Sequence, residues 1–456
     1  MNRFRYFLFA VILFSACGIA SPLLTPVSLP PLPTPSGSQS RPIVLRAARL
    51  LDVRHGTFIE DASVVIRGAR IEAIESNFED SSACTIDLGD VTLMPGLVDA
   101  HSHLLHQVDP LAPNDLHDLT EMSVAHRALL GAANARSMLN TGFTTVRDLG
   151  NAGHGGDIAL RDAISRGWVE GPRMVVATRA LAGRGGQYGR LSEAARPLVE
   201  LEYATVDGPS SARALVRSAI VEGADGIKVI VGSETAITLS LEEVRAIVDE
   251  AHRAGRWVAA HATDDVAARI AVDAGVDSVE HGYGISDETL ALMAERNIVY
   301  VPTDFPDELY QGLIHDSHAI PEEDRALYES AVAAQLTTSR DGIRRAVAAH
   351  VRIVTGSDTY FGWGERSRGE VSVLMFRAHA ALGIPPIEII RSATMHAAAL
   401  LRVSDRIGEL TPNHIADIIA VPRDPLADIT VLERVSFVLH EGRVIRNSVG
   451  GETCER

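Results

Sequence analysis

Lysine is all but absent. Of the 42 basic residues in this 456-residue chain, 41 are arginine and one, Lys228, is lysine. Cysteine is nearly as scarce, with three in all; three thiols cannot build a disulfide framework, and an all-cysteine zinc site needs four. Positive charge is in deficit: the formal charge is −17, which argues against nucleic acid or anionic lipid as the main partner. Apolar residues are not lacking. A 46% hydrophobic and 22% charged composition is that of an ordinary globular protein, so disordered and fibrous classes are excluded. The length suits one large domain with a smaller companion, or three average domains.

The lysine deficit carries chemical information. Base composition can turn surface Lys into Arg almost at will, since both keep a charge exposed. Where an amine must react the exchange fails, because guanidinium stays protonated. A single surviving lysine is therefore a candidate reagent or ligand.

Residues 1–20 read as a signal peptide: Arg3 and Arg5, an apolar run from Tyr6 to Phe14, then small residues. The run is too short for a stable transmembrane helix. Two cleavage readings are open. Phe14-Ser-Ala-Cys17 resembles a bacterial lipoprotein box, which would leave a lipid anchor on Cys17; Gly18-Ile-Ala20 suits ordinary signal peptidase, with Ser21 as the new terminus. Residues 21–42 hold seven of the chain's 21 prolines and no acidic residue, the composition of an extended tether. An exported protein is expected: periplasmic or an outer-membrane lipoprotein if bacterial, otherwise secreted. Export leaves Cys84 and Cys454 open to bridging or to remaining two thiols.

From residue 43 the pattern is short and β-like, and a matching stretch closes the chain around Ala416–Val421, Val435–Leu439 and Arg443–Arg446. Residues 43–92 and 405–447 are thus expected to build one composite β-sandwich, with 448–456 as a tail. Between them eight short apolar runs alternate with helical segments. The expected strands are Leu93–His101, Thr144–Asp148, Arg173–Ala177, Gly226–Val231, Arg256–His261, Ser278–His281, Ile298–Pro302 and Arg352–Asp358. Ser240–Ala254 and Asp265–Ala274 show helical periodicity. Eight βα units across residues 93–404 predict an α/β fold, a TIM (β/α)8 barrel with the small β-sandwich beside it.

Catalytic residues of such a barrel project from the C-terminal ends of its strands. The first expected strand ends in Asp99-Ala-His101-Ser-His103, and alternate residues of an extended chain face one side, so both histidines can grip one metal. The fourth carries Lys228 inside an apolar run. The fifth ends at His261, the sixth at His281 and the eighth at Asp358. A histidine at one strand end is usually only a satisfied polar residue. Four histidines, a lysine and an aspartate on five strand ends are hard to assemble by accident and point to a metal centre.

Together, Pro95-Gly-Leu-Val-Asp99-Ala-His101-Ser-His103, the strand-four lysine, the two later histidines and Gly356-Ser-Asp358 resemble the amidohydrolase superfamily over roughly residues 43–447. Gly142-Phe-Thr-Thr-Val-Arg147-Asp148-Leu-Gly150 and Glu280-His281-Gly282 look like its imidazolonepropionase-related and metal-dependent prolidase branch, which includes Xaa-Pro dipeptidases and an ochratoxin-cleaving relative. The resemblance implies two divalent metals, most often zinc. His101, His103 and Asp358 would hold the first, His261 and His281 the second, and a carbamylated Lys228 would bridge them. Residue chemistry agrees: arginine cannot become a carbamate, and an apolar surrounding favours the neutral amine that can. A water shared by two such ions supplies hydroxide near neutral pH, and Asp358 would pass its proton to the leaving nitrogen.

The expected substrate is a small molecule: an amide of a dipeptide (Xaa-Pro-like) or N-acyl amino acid, ochratoxin-type amides included. A lactone or cyclic-amide hydrolase is the alternative, and a non-catalytic surface binding protein a third reading. Where the prolidase-like branch has Gly-Gly-His-Gly, this chain has Gly185-Gly-Gln187-Tyr188-Gly189, so Gln187 or Tyr188 would contact substrate in place of the histidine. Tyr283 is a candidate contact to a carboxylate or carbonyl. Arg147 could bind a substrate carboxylate or be spent on an internal acid. The short run Val231–Ile237 predicts an open mouth unless another segment, such as Asp304–Glu323, covers it. A homo-oligomer is compatible with the sequence.

Overall fold

The computed structural model describes residues 41–76, 78, 80–111, 117–188, 192–233, 236–237 and 239–450. Residues 1–40, which hold the expected signal peptide and nearly all of the expected tether, and residues 451–456 lie outside the described residues. Cys84 is disulfide-bonded; Cys17 and Cys454 lie outside the described residues.

Eight strands drawn from both chain ends join in one sheet, the β-sandwich domain. Ile43–Asp52 pairs antiparallel with Thr57–Arg67, turning at Gly56, while Val91–Pro95 pairs antiparallel with Ile418–Pro422. Leu45, Val64, Ile66, Leu93, Ile418 and Phe437 share its core. Beside it stands the TIM barrel. Its parallel strands are Leu97–Ser102, Phe143–Asp148, Arg173–Val176, Gly226–Ile230, Trp257–Ala262, Ser278–His281 and Val299–Val301. Residues 352–358 take the eighth place without forming a regular strand. Val354 N donates to Tyr300 O at 3.0 Å, and Ala100 N donates to Thr355 O at 3.1 Å, which closes the ring.

The expected strand Leu93–His101 is in fact two. Up to Pro95 the chain belongs to the sandwich, and from Leu97 to the barrel. Gly96 makes the transfer: its N–H goes to Asp417 O, the next to Gly142 O, both at 2.9 Å. A Cβ at Gly96 would lie 2.2 Å from Thr144 Oγ1, so only glycine lets the two layers come this close.

Local signals set the outer helices. Leu241–Arg253 opens on a capping box between Ser240 and Glu243. Asp265–Ala274 is capped by the Asp264 side chain and ended by Gly275 at φ 87°. Trp257 fills the barrel floor so closely that a Cβ at Gly226 would meet its ring at 2.1 Å. No helix among the described residues is long and apolar enough to cross a membrane.

Barrel and sandwich are tied by buried charge. Arg173, at the start of the third barrel strand, donates to Asp417 Oδ2 and Glu441 Oε1, each at 2.7 Å, and Asp417 also holds His440 Nδ1 at 2.9 Å. Burial would raise the Asp417 carboxyl, but Arg173 and His440 hold it well below the usual range. Removing one partner leaves a buried charge uncompensated. Arg173→Met is expected to lower stability by about 3 kcal/mol, measured by chemical denaturation.

Candidate metal centre

The barrel's C-terminal mouth opens into a cavity of about 250 Å³ lined by His101, His103, Lys228, His261, His281 and Asp358. The six arrive from five places in the ring of strands, His101 and His103 sharing one, and the backbone bends sharply to deliver some of them. His281 (φ 69°) and Asp358 (φ 50°) are left-handed, as are Thr178 and Thr303 at neighbouring strand ends. Non-glycine residues there cost on the order of 1–3 kcal/mol each, so the surrounding packing must enforce them.

Distances define a tight cluster. Asp358 Oδ1 lies 3.2 Å from His103 Nε2 and 3.5 Å from His101 Nε2, and Asp358 Oδ2 is 3.7 Å from His281 Nδ1. Lys228 Nζ is 3.4 Å from His101 Nε2. The His261 and His281 rings stand 4.5 Å apart, centroid to centroid. His101, His103 and Asp358 present donor atoms within 4.8 Å of one another.

The surroundings fix which nitrogens carry lone pairs. Gly150 O can only accept, so His103 Nδ1, 2.9 Å away, carries the hydrogen. His101 Nδ1 donates in the same way to Glu280 Oε2 at 2.8 Å. Burial holds the His101 ring neutral, so its bare Nε2 faces Asp358 Oδ1; at His103 burial acts the same way, but Asp358 and Asp148 more than offset it and raise the imidazole above its usual value. Acceptor facing acceptor is repulsive unless a cation lies between them, and this donor set therefore fits a metal. Burial pushes His101 down to about 4 and His281 to about 3, and His261 well below its usual value; neutral imidazole is the form that ligates. Burial also lowers the Lys228 amine to about 8, against the opposing pull of Glu280 and Asp358. Burial works against the Asp358 charge, yet His101, His103 and His281 hold its carboxyl well below the usual range.

Glu280 has no place in the sequence-level set, although it adjoins a proposed ligand. It is fully buried, held by Arg147 Nη2 at 2.9 Å and Ser278 Oγ at 2.5 Å. Strand alternation would send Glu280 and His281 to opposite faces. His281 leaves the extended conformation, and both residues serve the centre. Asp99 was likewise only part of a motif. It accepts from His101 N at 3.1 Å and from Ser357 N and Oγ at 2.9 and 2.6 Å, tying the first barrel strand to the eighth segment.

The four expected substrate contacts divide. Gln187 Nε2 lies 3.3 Å from His261 Nε2, and its Oε1 accepts from Tyr203 OH at 2.9 Å. Tyr188 lines the same cavity, packed edge-on against Tyr203. Tyr283, its ring 5.8 Å from His281, lines an adjoining cavity that shares Asp358. Arg147 does not reach either cavity. It is buried beneath the centre, donating to Ala100 O, Ser278 Oγ and Glu280 and lying 5.2 Å over Trp257. The segment Asp304–Glu323 contains helix Asp307–Asp316. It walls one side without closing the mouth, for the Asp358 side chain keeps 21% exposure.

A barrel with a composite sandwich and a histidine-rich mouth defines the class of metal-dependent barrel hydrolases. The amidohydrolase family model matches residues 92–453, and the chain belongs to that family. Ochratoxinase of Aspergillus niger is 29% identical over 465 residues, 92% of each chain. The structure of a Xaa-Pro dipeptidase with bound methionine in the active site superposes with a TM-score of 0.76 at 32% identity, over 88% of this chain and 99% of that one. A prolidase complexed with N-methylphosphonate-L-proline gives a TM-score of 0.77 at 30% identity, over 89% and 100%. The protein is a metal-dependent hydrolase acting on amide bonds.

Glu280 holds His101 in its ligating tautomer, so its loss should weaken metal binding rather than abolish folding. Glu280→Gln is expected to reduce metal affinity about 10- to 100-fold, read by titrating metal into chelator-stripped protein.

Proposed function

We propose that this is an exported, binuclear amidohydrolase that releases an amino acid from a dipeptide or N-acyl amino acid. The observation that carries the reading is the convergence of four imidazoles, an amine and a carboxylate in one cavity. His101, His103 and Asp358 would hold one divalent ion, zinc by the family resemblance, and His261 and His281 a second. Two bound ions would supply Lewis acidity, activating water and polarising the scissile carbonyl.

The chain's own groups supply the rest. Lys228, buried and shifted toward the neutral amine, can attack carbon dioxide; an N–C bond forms as one C=O π bond opens, one proton leaves to water, and the resulting carbamate shares a single negative charge over two oxygens. Asp358, already a carboxylate, takes the proton of the attacking water and delivers it to the leaving nitrogen. Glu280 and Arg147 keep His101 oriented, and Gln187 and Tyr188 sit where a substrate's polar end would meet them. Basic and apolar character in residues 1–20, the proline-rich segment and the disulfide at Cys84 support export, to a periplasmic or outer-membrane site with lipid on Cys17, or into the medium.

Two substitutions test the reading. Asp358→Asn is expected to retain metal while turnover falls about a hundredfold or more, checked by metal analysis beside amino-acid release. Lys228→Arg should lose metal and activity together; retention of both would remove the carbamate. Turnover of lactones with no amino acid released would overturn the substrate class.

A further inference from the structure

On the floor of the barrel, at the opposite strand ends from the histidine cluster, a cavity of about 350 Å³ opens between barrel and sandwich. Its sandwich side is the turn of the hairpin formed by Phe437–His440 and Arg443–Asn447. Its barrel side is the end of helix Gly156–Ser165 and the start of strand Arg173–Val176. The space is built into the fold. A Cβ at Gly171 would lie 2.6 Å from Ile164 Cδ1, so the chain entering that strand is packed directly on the helix end.

The cavity presents charge that the fold leaves unspent. Arg161 and Arg173 line it but are engaged, Arg161 with Asp162 and Asp225, Arg173 with Asp417 and Glu441. Arg166 and Arg443 are exposed and have no ion pair among the described residues. Two acceptors accompany them. His440 is only 9% exposed. The ionised Asp417 can only accept, so His440 Nδ1, 2.9 Å from Asp417 Oδ1, carries the hydrogen. The other ring nitrogen, Nε2, is then an acceptor in the neutral imidazole and has no partner among the described residues. Next in the chain, Glu441 gives Oε1 to Arg173 at 2.7 Å, and its Oε2 meets no donor among the described residues. Ile164, Val169 and Met174 supply apolar wall.

We infer that this cavity is a second binding site, for a free α-amino acid with an aliphatic side chain. The ammonium donates to His440 Nε2 and Glu441 Oε2, the carboxylate accepts from Arg166 and Arg443, and the side chain lies against Ile164, Val169 and Met174. Charge-assisted hydrogen bonds then form at both ends. A concave, largely apolar space with a few convergent polar groups is the usual form of a small-molecule site. A plain anion fits less well, because Glu170 and Glu441 would face it, and a plain cation would meet four arginines. A zwitterion satisfies both signs. The site does not rest on the reaction proposed above, although that reaction would release this class of molecule.

Trp168 serves as the reporter. It is 71% exposed, and the Arg166 guanidinium lies 5.0 Å over its ring, so a carboxylate that engages Arg166 changes its emission. The test titrates leucine into the metal-loaded chain and into its His103→Asn variant, which lacks a ligand at the mouth. A saturable change in tryptophan emission is expected in both, and Trp168→Phe should abolish it. Leucinamide and N-acetyl-leucine each lack one charged end and should bind about tenfold or more weakly. Arg443→Gln and Glu441→Gln should each weaken leucine about tenfold, with circular dichroism confirming the fold and amide hydrolysis unchanged in Arg443→Gln. Calorimetry on the His103→Asn protein reads binding without the reporter. Equal binding of either blocked compound, leucine binding that Arg443→Gln leaves intact, or no saturable binding by emission and calorimetry would overturn the inference.

Discussion

The hydrogen bond from His101 to Glu280 is the constraint on which the mouth of the barrel depends. It lies where the first and sixth strand ends meet, fully buried, and both of its partners are spoken for elsewhere. Glu280 would be too costly to keep ionised at that depth without Arg147 beneath it; burial raises its carboxyl, and the Arg147 guanidinium with His101 more than reverses the effect. Arg147 in turn is oriented by Ala100 O, Ser278 Oγ and the Trp257 ring. A chain of contacts thus runs from the packed barrel floor to one imidazole lone pair. A buried ion pair is poor evidence for stability on its own. Here its effect is positional, since it decides which nitrogen of His101 carries the proton.

The same logic orders the rest of the site. Burial holds His101, His261 and His281 neutral, hydrogen bonds choose the tautomer of His101, and Asp358 gathers the Nε2 atoms of His101 and His103 around one carboxylate oxygen. Left-handed backbone at His281, Thr303 and Asp358 brings side chains inward where plain strand alternation would turn some of them away. Asp99, holding both His101 N and Ser357, makes the positions of the first and eighth strand ends depend on each other. The centre is consequently a property of the closed barrel and not of any one loop.

Much of this was legible in the sequence because barrel chemistry has a fixed address. Strand ends could be located from apolar runs, and the reactive types at those ends stood out once one lysine was seen among 41 arginines. The fold class followed from alternation, and both chain ends meet in one sheet as the two β-like stretches suggested. What stayed hidden was set by long-range packing. The transfer at Gly96 depends on Thr144, some 50 residues on, and no local pattern marks it. Arg147 read equally well as a substrate cation or an internal one, since sequence does not say which acid it meets. Glu280 was masked by the period-two rule, which assumes extended backbone up to the strand end. The adjoining cavities are walled largely by two helices more than two hundred residues from the first histidines, beyond the reach of any motif.

Charge placement links the interior to specificity. Cationic groups near the mouth are committed inward: Lys228 to the centre, Arg147 to Glu280, and Arg340 to Asp304 and Asp307. Asp304 meets Arg340 through Oδ2 alone, its Oδ1 buried without a hydrogen-bond partner, and the wall facing Asp358 sets rings beside Thr303, Gln335 and Ser339. The mouth thus gathers its titratable groups at the histidine cluster and sets rings, hydroxyls and aliphatic side chains on the adjoining wall. Because that wall lies largely on helices outside the strand-end framework, its shape can change with Val332, Leu336 or Tyr310 while the histidine cluster stays fixed by Glu280 and Arg147.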